Sequence, residues 1–542
     1  MKVIAAIDAD LKQTPLGTRS RLSEPIGGVP VLRRTVERLG HCENLKDVIV
    51  TFPEAQGAEI QTLLEGTKAT LRSRPERRPP YQALVRAARK WSLNGWRGGI
   101  GGSCVFDEYT DTELLVVLAR DVKADAVVVV APGAALIDPA LVDGMVTHFE
   151  RTSEEMRMTF AQTPPGLSPA IFHRDLLAQL AENRIPPGWT LAYKPDNPAT
   201  DLAMRTCCFT VGQGLRHASG RVTADTSRSL EVMRRIVEEG ADRDAETAGR
   251  WLIDYGRSAL ERLPREVEIE LTTDDPLPVS LLRPRGERVP QREPISLELV
   301  GRLAQELASE DDTLVVLGGH GDPVLHSQFA EIVATLREAG VFGIAVSTTG
   351  QRLADDAIAA MIRHRVDVVT FQVDAWTPEL YARLTGGGDL DNARSAIARV
   401  EAARQRAGQP EPIIVPQMIK CLENLEELDP FFDGWVRKAG WATVIGYSHY
   451  GGRLPDRSAM DMSPPTRVAC RRLSRRCVVL ADGTVTPCDQ DFGADLATGQ
   501  LGQAKLEQVW SGEAYQRLRA SHFDGRFDSC RLCAGCAEWH RP

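Results

Sequence analysis

The 542-residue sequence has no apolar run approaching the ~20 residues that cross a bilayer, which excludes an ordinary helical membrane protein. It also lacks an excess of positive charge. Its 65 Lys and Arg against 74 Asp and Glu give a formal net charge of −9, so long-range electrostatics favour neither DNA nor an anionic membrane as partner. The dense basic run at residues 71–78, LRSRPERR, reads as a solvated loop. Internal repeats and long low-complexity tracts are absent, and 43% hydrophobic with 26% charged residues is ordinary for globular domains. No HExxH or local Ser–His–Asp arrangement surrounds His320, His326 or His522, which read as structural or solvated histidines. The N-terminal MKVIAAIDAD carries one lysine, a short apolar run and then acids. That pattern fits a buried strand and not a secretory signal, so the expected location is cytoplasmic.

Cysteine is unevenly placed. Five of the eleven (Cys42, Cys104, Cys207, Cys208, Cys421) are scattered, as small buried hydrophobes are, whereas six fall between Cys470 and Cys536. In a reducing compartment such crowding implies metal or redox chemistry before disulfides.

Length suggests about three domains. The reading is α/β throughout. Residues 1 to about 150 alternate Val/Ile-rich runs with helical segments, as in a Rossmann-like parallel sheet covered on both faces. The stretch to 255, with short strands and a long helical run, is assigned to the same domain, residues 1–255. Residues 265–455 hold six further strand signals: EVEIEL, TLVVLGG, GIAVST, VDVVTFQVD, PIIVPQM and ATVIGYS. Their βα alternation predicts a partial (β/α)6 TIM-like barrel. A Pro- and Arg-rich loop follows the first of them. Residues 466–542 form a small cysteine-rich α+β domain, opened by the hairpin RCVVLADGTVTPC with Asp482-Gly483 at its turn.

Seventeen residues separate Cys470 from Cys488, 41 more lead to Cys530, and Cys533 and Cys536 complete a CxxCxxC run. A hairpin and a knuckle of this kind can bring four thiolates together, for a [4Fe–4S] cluster or for structural zinc. The segment CRRLSRRCVVLADGTVTPCDQD, then GQLGQAKLEQVWSGEAYQRLR, then CRLCAGC resembles the SPASM/twitch extension of radical S-adenosylmethionine (SAM) enzymes. That resemblance implies one auxiliary [4Fe–4S] cluster held by Cys470, Cys488, Cys530 and Cys533, with Cys536 a substitute or outer neighbour. Cys477, like Trp376, Trp510 and Trp539, reads as a packing residue.

The resemblance extends upstream. VLGGHGDPVLH (Val316 to His326), VSTTG (Val346 to Gly350) and FQVDAWTPELYARLTGG (Phe371 to Gly387) are similar to successive strand regions of radical SAM barrels. The likeness implies Gly318, Gly319 and Asp322 as contacts for SAM. The family's CxxxCxxC motif is missing: after ELTT the three positions read Asp275, Val279 and Leu282, none a soft iron ligand. Reductive cleavage of SAM is therefore expected to be lost.

Residues Leu16 to Leu39, LGTRSRLSEPIGGVPVLRRTVERL, resemble the nucleotide loop of cytidylyltransferases. Gly17, Arg19 and Arg21 would hold the phosphates of a nucleotide. The family's lysine is replaced by Glu24, and its metal-binding acids by Pro132-Gly133-Ala134, so nucleotidyl transfer is not expected. The order of parts resembles the spiro-SPASM family. The leading expectation is an iron–sulfur protein with an electron-transfer or scaffold role, partnered by a redox protein, a peptide or a small molecule. An active radical SAM oxidoreductase, a cytidylyltransferase and a structural zinc protein are the alternatives.

Overall fold

The computed structural model describes residues 1–541 except 77, 99, 259, 260 and 278. The chain divides into two compact units, residues 1–259 and 260–542. No helix among the described residues is long and apolar enough to cross a membrane.

The first unit is built on a seven-stranded sheet, in the order 70–74, 48–53, 3–8, 126–130, 170–173, 158–161, 208–209. Side chains of Val3–Asp8 alternate between two cores, Val3, Ala5 and Ile7 in one and Ile4 and Ala6 in the other. Helices cover both faces, which is why these strands read as continuous apolar runs. Four of the six strand pairings are parallel, including all of those within residues 1–150. Strand Ala170–His173 pairs antiparallel with both Ala126–Val130 and Met158–Ala161. The eight residues joining 158–161 to 170–173 are too few for a parallel crossover.

The second unit contains the six expected strands, parallel and in sequence order: 266–270, 314–318, 343–348, 368–372, 413–420 and 443–446. Amphipathic helices such as Leu297–Leu307 and Phe329–Ala339 bury Val300, Leu303, Ile332 and Leu336 against them. The cysteine-rich region is not a separate body. Its strand Arg476–Val479 pairs parallel with 266–270, so the barrel sheet runs on into the hairpin 476–479/484–486 and the short strand 499–500. Cys477 lies in this shared core, and Trp510 is fully buried there with its indole N–H donated to Glu261 O at 2.9 Å.

Candidate metal centre

Three local structures deliver the C-terminal cysteines. Cys470 opens the turn Arg471–Ser474, and Cys488 follows the second hairpin strand, Thr484–Thr486. Gly483 has φ +83° at the hairpin turn, a conformation open to glycine at little cost, and the Thr484 N–H is held by the Asp482 carboxylate at 3.0 Å. The terminal knuckle is the short helix Arg531–Ala534, with Cys530 as its N-cap, Cys533 inside it and Cys536 just beyond.

Cys470, Cys488, Cys533 and Cys536 line one cavity, with His522, Arg472 and Glu538 also on its wall. The thiols act on one another electrostatically: Cys470 on Cys488 and Cys536, and Cys530, Cys488 and Cys536 on Cys533. Cys530 stands behind Cys533, its Sγ accepting the Cys533 N–H at 3.4 Å. Among the described residues no group of three or more His, Cys, Asp or Glu is close enough as placed to hold a single metal ion, so the thiols surround a space and do not close on a point.

Burial pushes the Cys470, Cys488 and Cys536 thiols up, and the hydrogen bond between Cys533 and Cys530 raises the former and lowers the latter. Bare thiolates are therefore costly here, and a metal that binds them must displace protons and supply the compensating charge. The wall also holds buried polar atoms without a hydrogen-bond partner: His522 Nε2, Arg472 Nε and Glu538 Oε1. Burial, with Arg467 nearby, pushes the His522 imidazole down to about 4, so the ring is neutral at neutral pH. Four sulfur donors and an unused N–H fit an iron–sulfur cluster. Zinc shares the thiolate preference.

At the barrel mouth the three positions that correspond to CxxxCxxC go to three environments. The Asp275 side chain is 1% exposed and ion-paired with Arg285, Val279 is 51% exposed, and Leu282 lies in the core. Arg285 also donates to His320 O at 3.0 Å and to Gln372 Oε1 at 2.6 Å. From the same loop, Arg283 pairs with Asp374 and Arg292 with Glu270 at 3.2 Å. Asp374 is thus an ion-pair partner that also accepts the Ile419 N–H at 2.9 Å.

Gly318 and Gly319 end the second barrel strand. The Gly319 N–H is taken by Glu268 at 2.9 Å, and a Cβ on Gly319 (φ +93°) would lie 2.7 Å from Glu270 Cβ. Asp322 accepts from Thr349 N at 2.9 Å and from the Thr348 and Thr349 hydroxyls at 3.0 and 2.7 Å. All three residues are engaged within the fold. Burial pushes Glu268 up and His320 down to about 3, so both favour their neutral forms.

In the first unit, Gly17 has φ +89° and a Cβ there would meet the Arg86 guanidinium at 2.9 Å. Arg19 is exposed, and Arg21 donates to Arg19 O at 3.0 Å and Asp225 O at 3.3 Å. Glu24 pairs with Arg234 at 3.2 Å, and a Cβ on Gly133 would lie 2.7 Å from Ala224 N. A small cavity beside this loop is lined by Asp8, Asp10 and Asp225 together with Ser20 and Arg78. The two strand-end acids of VIAAIDAD were the available sequence signal for it.

With this geometry in view, comparison with known proteins is decisive for the second unit. Residues 282–411 match the family model of the radical SAM superfamily, and residues 470–537 match SPASM, an iron–sulfur cluster-binding domain. The chain is a radical SAM-type iron–sulfur protein. Its radical SAM and SPASM parts, preceded by the N-terminal α/β sheet, stand in the order of the spiro-SPASM family. An uncharacterized protein of Treponema pallidum is 27% identical over 309 residues, spanning 53% of this chain and 82% of its own length. A tungsten-containing aldehyde ferredoxin oxidoreductase cofactor-modifying protein of Pyrococcus furiosus is 27% identical over 265 residues, spanning 41% and 73%. Among solved structures, a cytidylyltransferase from Leptospira borgpetersenii is 17% identical, with 47% of this chain and 94% of that one covered and a TM-score of 0.32.

The SPASM match starts at Cys470 and ends one residue past Cys536, so it takes in all five candidate ligands and Cys477. Sequence reasoning took His522 for a structural or solvated histidine and did not single out Arg472 or Glu538. A histidine eight residues before the knuckle was the only signal of the first.

Proposed function

We propose that this radical SAM-type chain carries one [4Fe–4S] cluster in the C-terminal cavity and does not generate radicals in its barrel. The observation that carries the reading is a contrast. Four thiols border one cavity, while the three positions that would hold the reactive cluster are a salt-bridged acid, an exposed valine and a core leucine. We assign Cys470, Cys488, Cys533 and Cys536 as ligands. Cys530, whose sulfur already accepts the Cys533 N–H, shapes the knuckle.

This departs from a set containing Cys530, and the two are separable. Cys536→Ala is expected to lose the cluster iron on anaerobic purification, and Cys530→Ala to retain most of it. The reverse pattern, measured by iron content and visible absorption, would restore Cys530 as the ligand.

A cluster with four protein thiolates has no iron position open to a substrate, so its chemistry is one-electron transfer. The role is that of an electron carrier, with a redox protein in the cytoplasm as partner. In the barrel, Arg283, Arg285 and Arg292 place fixed positive charge where the radical-generating cluster would need thiolates. Reduced holoprotein incubated with SAM is therefore expected to form no 5′-deoxyadenosine above a protein-free control. Stoichiometric or catalytic 5′-deoxyadenosine would overturn the inactive-barrel reading. The degenerate loop around Gly17, Arg19 and Arg21 supports no nucleotidyl transfer.

A further inference from the structure

We propose that His522 donates its Nε2–H to sulfur of the cluster and thereby sets the cluster's redox potential. This rests on the cluster assignment above and adds a residue that is neither a cysteine nor a ligand. The tautomer follows from the fold: the Cys470 N–H donates to His522 Nδ1 at 3.3 Å, so in the neutral ring the proton sits on Nε2. The ring is fixed further by an edge contact with Phe527, centroids 5.3 Å apart. His522 is 3% exposed, lines the cavity bordered by the four thiols, and its Nε2 has no hydrogen-bond partner.

A buried donor of this kind is rare without an acceptor. No protein acceptor bonds it, and cluster sulfur in the cavity would satisfy it. The Arg472 Nε–H on the same wall is likewise unmet, but its guanidinium is already committed to Asp489, so the histidine is the donor free to face the cluster. Hydrogen bonds to cluster sulfur stabilise the reduced, more negative state and move the potential upward.

The test uses full-length protein purified without air: wild type, His522→Leu and His522→Gln, with iron content measured for each. Gln keeps an N–H near the Nε2 position and Leu removes it. The expected result is a more negative midpoint potential for H522L, with H522Q returning towards wild type. In protein carrying 15N-histidine, pulsed EPR of the reduced wild type is expected to show a weak nitrogen coupling that H522L lacks. Equal potentials in three fully loaded proteins would overturn the proposal. So would a wild type with no nitrogen coupling, or with the strong coupling of a direct ligand, and these need no variant to fold. A wild type devoid of iron sinks the cluster assignment itself, and its iron content tells that outcome apart.

Discussion

The Cys488→Ala/Cys533→Ala double variant, purified without air, is expected to contain no cluster iron where the wild type holds about four atoms per chain. One cysteine comes from the hairpin and the other from the knuckle, so the change removes half of the donor set from both sides of the cavity. Cys530, in the same knuckle, is one sulfur and cannot replace the two that are lost. His522 uses Nδ1 to accept the Cys470 N–H, and Glu538 and Arg472 face each other at 3.7 Å. The loss should also be local. Strands 266–270 to 443–446 are held by a core of Val, Ile and Leu that includes Ile269, Leu317, Val346 and Phe371 and needs no metal. Hydrogen exchange is the check: protection falls around 470–490 and 530–541 and persists in the six barrel strands. Iron retained by the double variant would refute the ligand assignment.

The second large effect is expected at the barrel mouth. Replacing Arg285 by Met leaves the Asp275 carboxylate buried without its partner, and removing one member of a buried ion pair costs about 3–5 kcal/mol. The same change removes the bonds to His320 O and Gln372. Arg285→Met is therefore expected to lower the urea midpoint of the second unit strongly. The double variant Arg285→Met/Asp275→Leu should recover much of that loss, because no uncompensated charge remains. A double variant no more stable than the single one would show that the pair is not what fills the space left by the missing cysteines.

Much of this architecture was legible because the strands are regular. Six apolar runs between helical segments gave the six parallel strands, and Asp482-Gly483 gave the hairpin turn. The antiparallel placing of strand 170–173 in the first sheet was not legible, since MTFA and AIFH are too short for pattern to fix direction, and only the length of their connection decides it. The domain boundary at 466 was drawn from composition. Strand pairing between 476–479 and 266–270, about 200 residues apart, joins what composition separates. The arginines of the loop after the first barrel strand were legible only as a Pro- and Arg-rich stretch. Their partners Asp374 and Glu270 lie 91 and 22 residues away, beyond any local pattern. The cysteine spacing did point to one site, and the family resemblance ranked Cys530 above Cys536, whereas the proposal here reverses them. That difference depends on which sulfur turns into the knuckle's own backbone.

Metal analysis of the anaerobically purified wild type, combined with Mössbauer spectroscopy, tests the central claim most directly. About four irons per chain in a single [4Fe–4S] signal is the predicted result. One zinc and no iron, or two clusters with about eight irons, would contradict it, the first by replacing the redox centre and the second by restoring a cluster to the barrel.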